Sequence, residues 1–108
     1  INKDSLGIGD SGVSIDAVND VATGTPFGLR PRVAGLPIAW EVIPNGAPSA
    51  IQADLYISYD GENYSLFDSI VGITAFTAKQ ADVGPAKAAR IDISALTTAG
   101  DVTAKIIA

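Results

Sequence analysis

The side chains in this sequence that could do chemistry are mainly carboxylates, because the chain has twelve Asp and Glu residues but no His and no Cys. A nucleophilic triad needs Ser or Cys beside a base, which is most often His, and thiolate metal sites need Cys. Ser–Lys variants exist, but no serine motif accompanies Lys3, Lys79, Lys87 or Lys105. We therefore expect no catalytic residues, and the protein is not expected to be an enzyme.

Glu41 and Asp54 are the best candidates for a pair of catalytic carboxylates, because both lie on outward faces of predicted strands that could adjoin. Paired carboxylates of this kind serve glycoside hydrolysis. However, acidic residues occupy the outward positions of every strand in a soluble sheet. The spacing of Glu41 and Asp54 does not distinguish a catalytic pair from such a solvated face. The solvated face is the preferred interpretation.

The Asp-Gly-Glu-Asn sequence at residues 60–63 places three oxygen-bearing side chains in one turn, and oxygen ligands are what calcium takes. The EF-hand loop pattern does not occur in the chain, and an Asp-Gly turn between two strands already explains these residue types. We expect no metal and no cofactor.

Alternation of apolar and polar residues predicts β-strands along most of the chain. In residues 51–59, five apolar or aromatic residues occupy every second position, which is typical of a half-buried antiparallel strand. The excess of thirteen Ile and eight Val over six Leu also favours sheet. Strands are predicted at residues 13–21, 38–43, 51–59, 64–70, 73–78, 90–94 and 102–107, an edge strand or loop at 27–37, and a helical turn at 79–89. The fold class is therefore all-β, an antiparallel β-sandwich or jelly-roll-like fold with seven to eight short strands.

A chain of 108 residues suits one domain with one core. Residues 1–12 are glycine-rich and polar with isolated apolar residues, which predicts an extended N-terminal arm before a single β-sandwich domain at residues 13–108. The strand alternation places a set of side chains in the core: Trp40, Leu55, Ile57, Ile91, Ile93, Val102 and Ile106.

The charge of the chain excludes two classes of partner. The net charge is −5, and the seven Lys and Arg residues form no cluster, so nucleic acid and anionic membrane surfaces are not expected partners. No stretch approaches the roughly 20 apolar residues of a membrane-spanning helix.

Three motifs resemble those of a known class of proteins. A tryptophan strand at residues 40–46 (WEVIPNG) is followed by a strand and hairpin at 55–64 (LYISYDGENY) and by a late strand at 90–93 (RIDI). In this order they resemble the small β-sandwich virion proteins of tailed bacteriophages, several of which decorate or cement capsids while others sit in tails. The same hairpin is similar to that of discoidin-type carbohydrate-binding domains, although this chain is shorter and lacks their paired cysteines. Neither resemblance carries over a functional residue.

Two functions from different classes follow. The first is a structural virion protein at the capsid surface, a decoration or cement subunit whose partner is the major capsid protein or another virion protein, present as a homo-oligomer or as lattice-bound copies. The second is a carbohydrate- or receptor-binding module of a phage tail or of a secreted, extracellular enzyme. Partner binding is predicted for the arm and the Pro-bounded segment at residues 27–37, since Phe and Arg are common interface anchors. The predicted partner-binding residues are Leu6, Ile8, Phe27, Leu29, Arg30 and Arg32. Alternatively, Phe27 and Leu29 complete the core from an edge strand.

Overall fold

Nine strands form the described part of the protein, which in this computed structural model comprises residues 5–7, 9–29, 37–46, 49–97 and 100–108. No helix occurs within these ranges. The strands are β1 Ser5–Leu6, β2 Ser11–Val18, β3 Phe27–Leu29, β4 Ile38–Gly46, β5 Ser49–Ser58, β6 Tyr64–Ile73, β7 Thr77–Ala81, β8 Ala88–Thr97 and β9 Gly100–Ile107.

The strands make two sheets that pack as a sandwich. One sheet has five strands in the order β1-β3-β8-β5-β6, and the other has four in the order β2-β9-β4-β7. Every pairing between these strands is antiparallel except the short parallel pair β1–β3. The predicted all-β antiparallel sandwich is confirmed.

The core lies between the two sheets. It consists of the side chains at every second strand position, which point towards the opposite sheet. Trp40 on β4 is fully buried, as are Leu55 on β5 and Ile91 on β8. The other predicted core residues are buried with them: Ile57, Ile93, Val102 and Ile106. Burial of large side chains at every second position is the source of most of the fold's stability.

The helical turn predicted at residues 79–89 is wrong. Residues up to Ala81 belong to β7, and a turn with Gly84 at a φ of +59° connects this strand to β8. Ala81, Val83 and Ala86 are buried in the core cluster, so the alanines that suggested a helix serve as small core residues.

The strand predicted to stop at Pro44 instead continues to Gly46. Pro44 pairs with Val102 of β9, whereas the pairing of β4 with β7 ends at Val42. Beyond Val42 the strand is therefore paired on one side only within the described residues, and a strand with a free side tolerates proline. β2 differs in the other direction, since it ends at Val18 rather than at residue 21.

The predicted N-terminal arm is described at residues 5–7 and 9–12. Within it, Leu6 is in register with Leu29 in the parallel β1–β3 pair, and β2 already begins at Ser11. This part of the predicted arm is thus packed on the sandwich. The described part of the chain contains no helix that is long and apolar enough to cross a membrane.

Candidate binding face

The outward side of the five-stranded sheet carries polar and aromatic side chains that the strand register brings together. Tyr56 on β5 stands opposite Arg90 on β8 and Leu66 on β6, while Asp54 stands opposite Asp92 and Ser69. We call this surface the outer face, and it comprises Gln52, Asp54, Tyr56, Tyr64, Leu66, Ser69, Arg90, Asp92 and Ser94.

Arg90 is held in place by three neighbours on this face. Its Nε lies 3.0 Å from Oδ1 of Asp92, and its Nη2 lies 3.3 Å from Oδ2. The guanidinium carbon lies 4.7 Å from the ring centroid of Tyr56 and 4.8 Å from that of Tyr64. The ion pair and the two cation–π contacts together fix the guanidinium between the rings.

Asp54 is the most buried charged side chain of the face, with 6% of its surface exposed. Its Oδ1 accepts hydrogen bonds from Nε2 of Gln52 at 3.1 Å and from Oγ of Ser69 at 2.8 Å. No donor in the described part of the chain reaches its Oδ2. Asp54 and Glu41 do not form the considered carboxylate pair, because Glu41 lies on β4 of the other sheet.

An open depression of about 410 Å³ lies on the outer face beside Asp54. Its lining residues are Val21, Ala22, Thr23, Asp54, Tyr56, Asp92, Ile93 and Ser94. The size is within the range of about 300–1,000 Å³ that is typical of small-ligand sites. We call this depression the outer-face pocket.

One wall of the pocket, residues 21–23, belongs to a segment that is strapped to β8. Ala22 exchanges two backbone hydrogen bonds with Ile93, at 2.9 and 2.8 Å, and the amide of Gly24 donates to Oδ1 of Asp92 at 3.0 Å. The buried hydroxyl of Ser14 donates to the carbonyl of Thr25 at 2.9 Å and accepts from the amide of Ile91 at 2.9 Å. The wall is therefore built into the fold before any ligand arrives.

A second surface feature is a set of exposed apolar side chains on β6, the edge strand of the five-stranded sheet, and in the connection that follows it. Leu66, Phe67 and Val71 on β6 are 56%, 39% and 68% exposed, and Phe76 in the connection to β7 is 59% exposed. In the described part of the chain, β6 pairs with β5 alone and so leaves one backbone edge open. We call these four residues the β6 ridge. Exposed apolar side chains beside an open strand edge are typical of contact surfaces.

The turn at residues 60–63 satisfies its carboxylate internally. Oδ1 of Asp60 accepts hydrogen bonds from the amides of Glu62 and Asn63 at 2.8 Å each and from Oγ of Ser58 at 3.0 Å, and Oδ2 accepts from Nδ2 of Asn63 at 2.7 Å. The bond from the amide of Asn63 is the largest reason why the pKa of Asp60 lies far below its ordinary value. Gly61 has a φ of +86°, as the predicted hairpin requires. Among the described residues, no group of three or more acidic side chains is placed to hold a metal ion.

The six predicted partner-binding residues fall into two groups. Leu6 and Leu29 are 4% and 8% exposed and belong to the core cluster, while Phe27 packs against that cluster. This placement is the considered alternative in which the edge strand completes the core, and it follows from the pairing of β3 with both β1 and β8. Ile8, Arg30 and Arg32 lie outside the described residues. The partner-binding role of the set stays a prediction.

Sequence reasoning missed Arg90 and Asp92 as members of a site. Their separation by one residue within a strand, with Ile91 and Ile93 inward, was a usable signal, because it places both side chains on one face. What the sequence did not contain was the pairing that sets Arg90 between two tyrosines from other strands.

Comparison with known proteins identifies a shared fold rather than a family. No protein-family model matches the chain, and no curated protein sequence is significantly similar to it. Among solved structures, the SPBc2 prophage-derived protein YomS is similar with a TM-score of 0.60 and 16% identity, over 90% of this chain and 88% of that chain. FLHE has a TM-score of 0.46 at 17% identity, covering 90% of this chain and 89% of the other. A family 29 carbohydrate-binding module has a TM-score of 0.44 at 7% identity, covering 92% and 91%.

Proposed function

We propose that the protein is a structural subunit of a bacteriophage particle, a capsid decoration subunit that binds a repeating lattice of another virion protein. The observation that carries the proposal is the β6 ridge, where four large apolar side chains are exposed on an edge strand and in the connection that follows it. The sandwich shared with a prophage-derived protein supports the phage setting.

The ridge has the composition of a protein contact surface. A partner that covers the ridge would remove apolar surface of its four side chains from water. Each Å² of apolar surface removed contributes about 25 cal/mol to binding. Aromatic residues are enriched in interfaces, and the open backbone of β6 can add hydrogen bonds to a partner strand. The major capsid protein, or another virion protein present in many copies, is the partner we propose.

The direct test locates the protein in the particle. Particles of the phage that encodes this chain would be purified, labelled with an antibody against the protein and viewed by immunogold electron microscopy. The proposal expects label on the head at many positions per particle. Label confined to tails would transfer the role to the tail, and particles without label would remove the structural role altogether.

Matched variants test whether the ridge makes the contact. Phe76→Ser removes an exposed aromatic ring from the ridge, and Tyr59→Ser removes a similarly exposed ring from the β5–β6 turn, which is not part of the ridge. Val71→Thr and Val13→Thr form a second pair, since both valines are exposed but Val13 lies on β2 of the other sheet. In cosedimentation with particles, the ridge variants should bind about tenfold more weakly or worse, as loss of an interface anchor costs more than about 1 kcal/mol. Equal loss in the control variants would show that the ridge has no special part in attachment.

The second candidate function is a carbohydrate- or receptor-binding module of a tail or of a secreted enzyme. It is favoured by Tyr56 and Tyr64, which lie on one face beside the outer-face pocket. Sugars stack on open aromatic faces, but Arg90 covers a face of each ring, so the platform is reduced. Binding to a glycan array, together with no attachment to particles, would replace the structural proposal by this one.

A further inference from the structure

Two carboxylates of the outer face stand directly opposite each other on neighbouring strands. Asp54 on β5 and Asp92 on β8 are cross-strand partners, and like charges in this position destabilise a sheet. Arg90 neutralises Asp92 through a two-point ion pair. Within the described residues, no Lys or Arg side chain lies at ion-pair distance from Asp54. Among the described side chains, Asp54 is thus left without a counter-charge.

Asp54 is also incompletely hydrogen-bonded for a side chain that is 6% exposed. Both of its hydrogen bonds go to Oδ1, and both donors, Gln52 and Ser69, are neutral. Within the described residues no donor reaches Oδ2 of Asp54, so this oxygen can accept a hydrogen bond from a group outside the protein. Like charges at directly opposed strand positions oppose local stability, and residues of that kind are concentrated at functional sites.

The surroundings of Asp54 fit a cation at the end of a flexible chain. Asp54 lines the outer-face pocket, whose 410 Å³ accommodates a long side chain. Tyr56 lines the same pocket, and its ring already attracts one guanidinium group, that of Arg90 at 4.7 Å from the ring centroid. The net charge of −5 attracts a basic partner surface from a distance.

We propose that the outer-face pocket binds a Lys or Arg side chain of a partner protein, with Asp54 as its counter-charge and Tyr56 beside it. This inference rests on the proposed function, since it names the chemical group that the virion partner contributes. A neutral sugar fits less well, because it would leave the charge of Asp54 uncompensated.

The experiment is an NMR titration of the ¹⁵N-labelled protein with small probes. Nα-acetyl-lysine methylamide and its arginine counterpart carry the cation, the norleucine counterpart is neutral, and glucose represents a sugar. We expect saturable shifts with the cationic probes at the amides of residues 21–23, 54 and 92–94, and no such shifts with norleucine or glucose. No shift with either cationic probe at millimolar concentration would overturn the inference, as would equal shifts with norleucine or saturation by glucose.

Two substitutions that each remove one negative charge distinguish binding in the pocket from attraction by the net charge of the protein. Asp54→Asn keeps the shape and the Oδ1 acceptor but removes the charge, and should weaken cation binding by about tenfold or more. Asp16→Asn removes one charge from an exposed position on β2 and should leave binding unchanged. Ser94→Lys, at an exposed residue of the pocket, places a cation there intramolecularly and should block the probes even if Asp54→Asn folds poorly. Unchanged binding in Ser94→Lys, or in a folded Asp54→Asn, would refute the role of the pocket.

The result stays distinguishable from the test of the proposed function. Cation binding by a protein that does not label particles would keep the pocket and remove the virion partner. Particle labelling without cation binding would keep the structural role and remove the pocket from it.

Discussion

Replacing Gly24 with alanine should destabilise the protein although Gly24 has an ordinary backbone conformation. A Cβ at this position would lie 1.8 Å from the carbonyl oxygen of Ile91 and 2.4 Å from Oγ of Ser14. Real Cβ atoms do not approach so closely, and the nearer obstacle is a backbone atom of a paired core strand. The strap formed by residues 22–25 must therefore move away from β8.

The cost can be worked out from the hydrogen bonds that this movement breaks. The amide of Gly24 donates to the carboxylate of Asp92 at 3.0 Å, and the amide of Thr25 donates to the carbonyl of Ser14 at 2.8 Å. A bond to a charged group is worth about 1.5–3 kcal/mol and a neutral one about 0.5–1.5 kcal/mol. Gly24→Ala should therefore lower the free energy of unfolding by about 2–4.5 kcal/mol.

Gly12→Ala is the matched control, because its obstacle is a side chain. A Cβ at Gly12 would lie 2.7 Å from Cζ of Phe27, whose ring is partly buried and can shift. Such overpacking should cost about 1 kcal/mol, at the lower end of the usual range. Urea denaturation of both variants and the wild type, monitored by tryptophan fluorescence, gives the three free energies of unfolding to be compared.

A Gly24→Ala variant within about 0.5 kcal/mol of wild type, the usual range for a surface substitution, would contradict the predicted clash. A Gly12→Ala variant that is less stable than Gly24→Ala would contradict it too, because the obstacle at Gly24 is rigid backbone and the obstacle at Gly12 is a side chain. Shifts in the amides of residues 21–23 in Gly24→Ala would show in addition that the strap positions the pocket wall.

Three other predictions concern stability. Leu55→Ala should lower the free energy of unfolding by about 2–5 kcal/mol in urea denaturation, because Leu55 is fully buried and the truncation leaves a cavity; a smaller loss would indicate a core that collapses around the gap. The pKa of Asp60 is lowered below its ordinary value of 3.8, so its contribution is complete above that pH and is lost as the pH falls towards the folded-state pKa. Asp60→Asn should accordingly be less stable than wild type at neutral pH, with a difference that narrows in acid; a difference that is independent of pH would contradict this. Thermal unfolding with and without a chelator should give the same midpoint, because hydrogen bonds from its own turn already occupy Asp60, and a drop of several degrees would instead indicate a calcium site at residues 60–63.

The sandwich and its core were predictable because strand alternation is a local property of the sequence. A period of two assigns each residue to one side of its strand without any knowledge of the partner strand, and burial then selects the apolar side. Trp40, Leu55 and Ile91 were placed correctly on this basis. The hairpin at residues 60–63 was predictable because a turn, like strand alternation, is determined locally. Its four residues include Gly61, which supplies the positive φ.

Local patterns failed where a residue type suits two structures or where pairing decides the outcome. Residues 79–89 contain helix-favouring alanines, but Ala81 and Ala86 are small residues of a sandwich core. Leu6 and Leu29 stand in irregular stretches, so only their pairing with each other showed that both are buried.

The sequence by itself determined that this protein is an all-β domain with no His and no Cys, because composition and alternation are properties of the chain alone. Only the tertiary structure decided which outward residues meet. The register of β5 with β6 and β8 places Tyr56, Tyr64 and Arg90 together, and the strap across β8 turns the face into a pocket. Register depends on contacts between distant segments and on bulges that shift the pairing, as between Leu55 and Tyr56. No local pattern encodes such a shift, and therefore the candidate site emerged only from the folded chain.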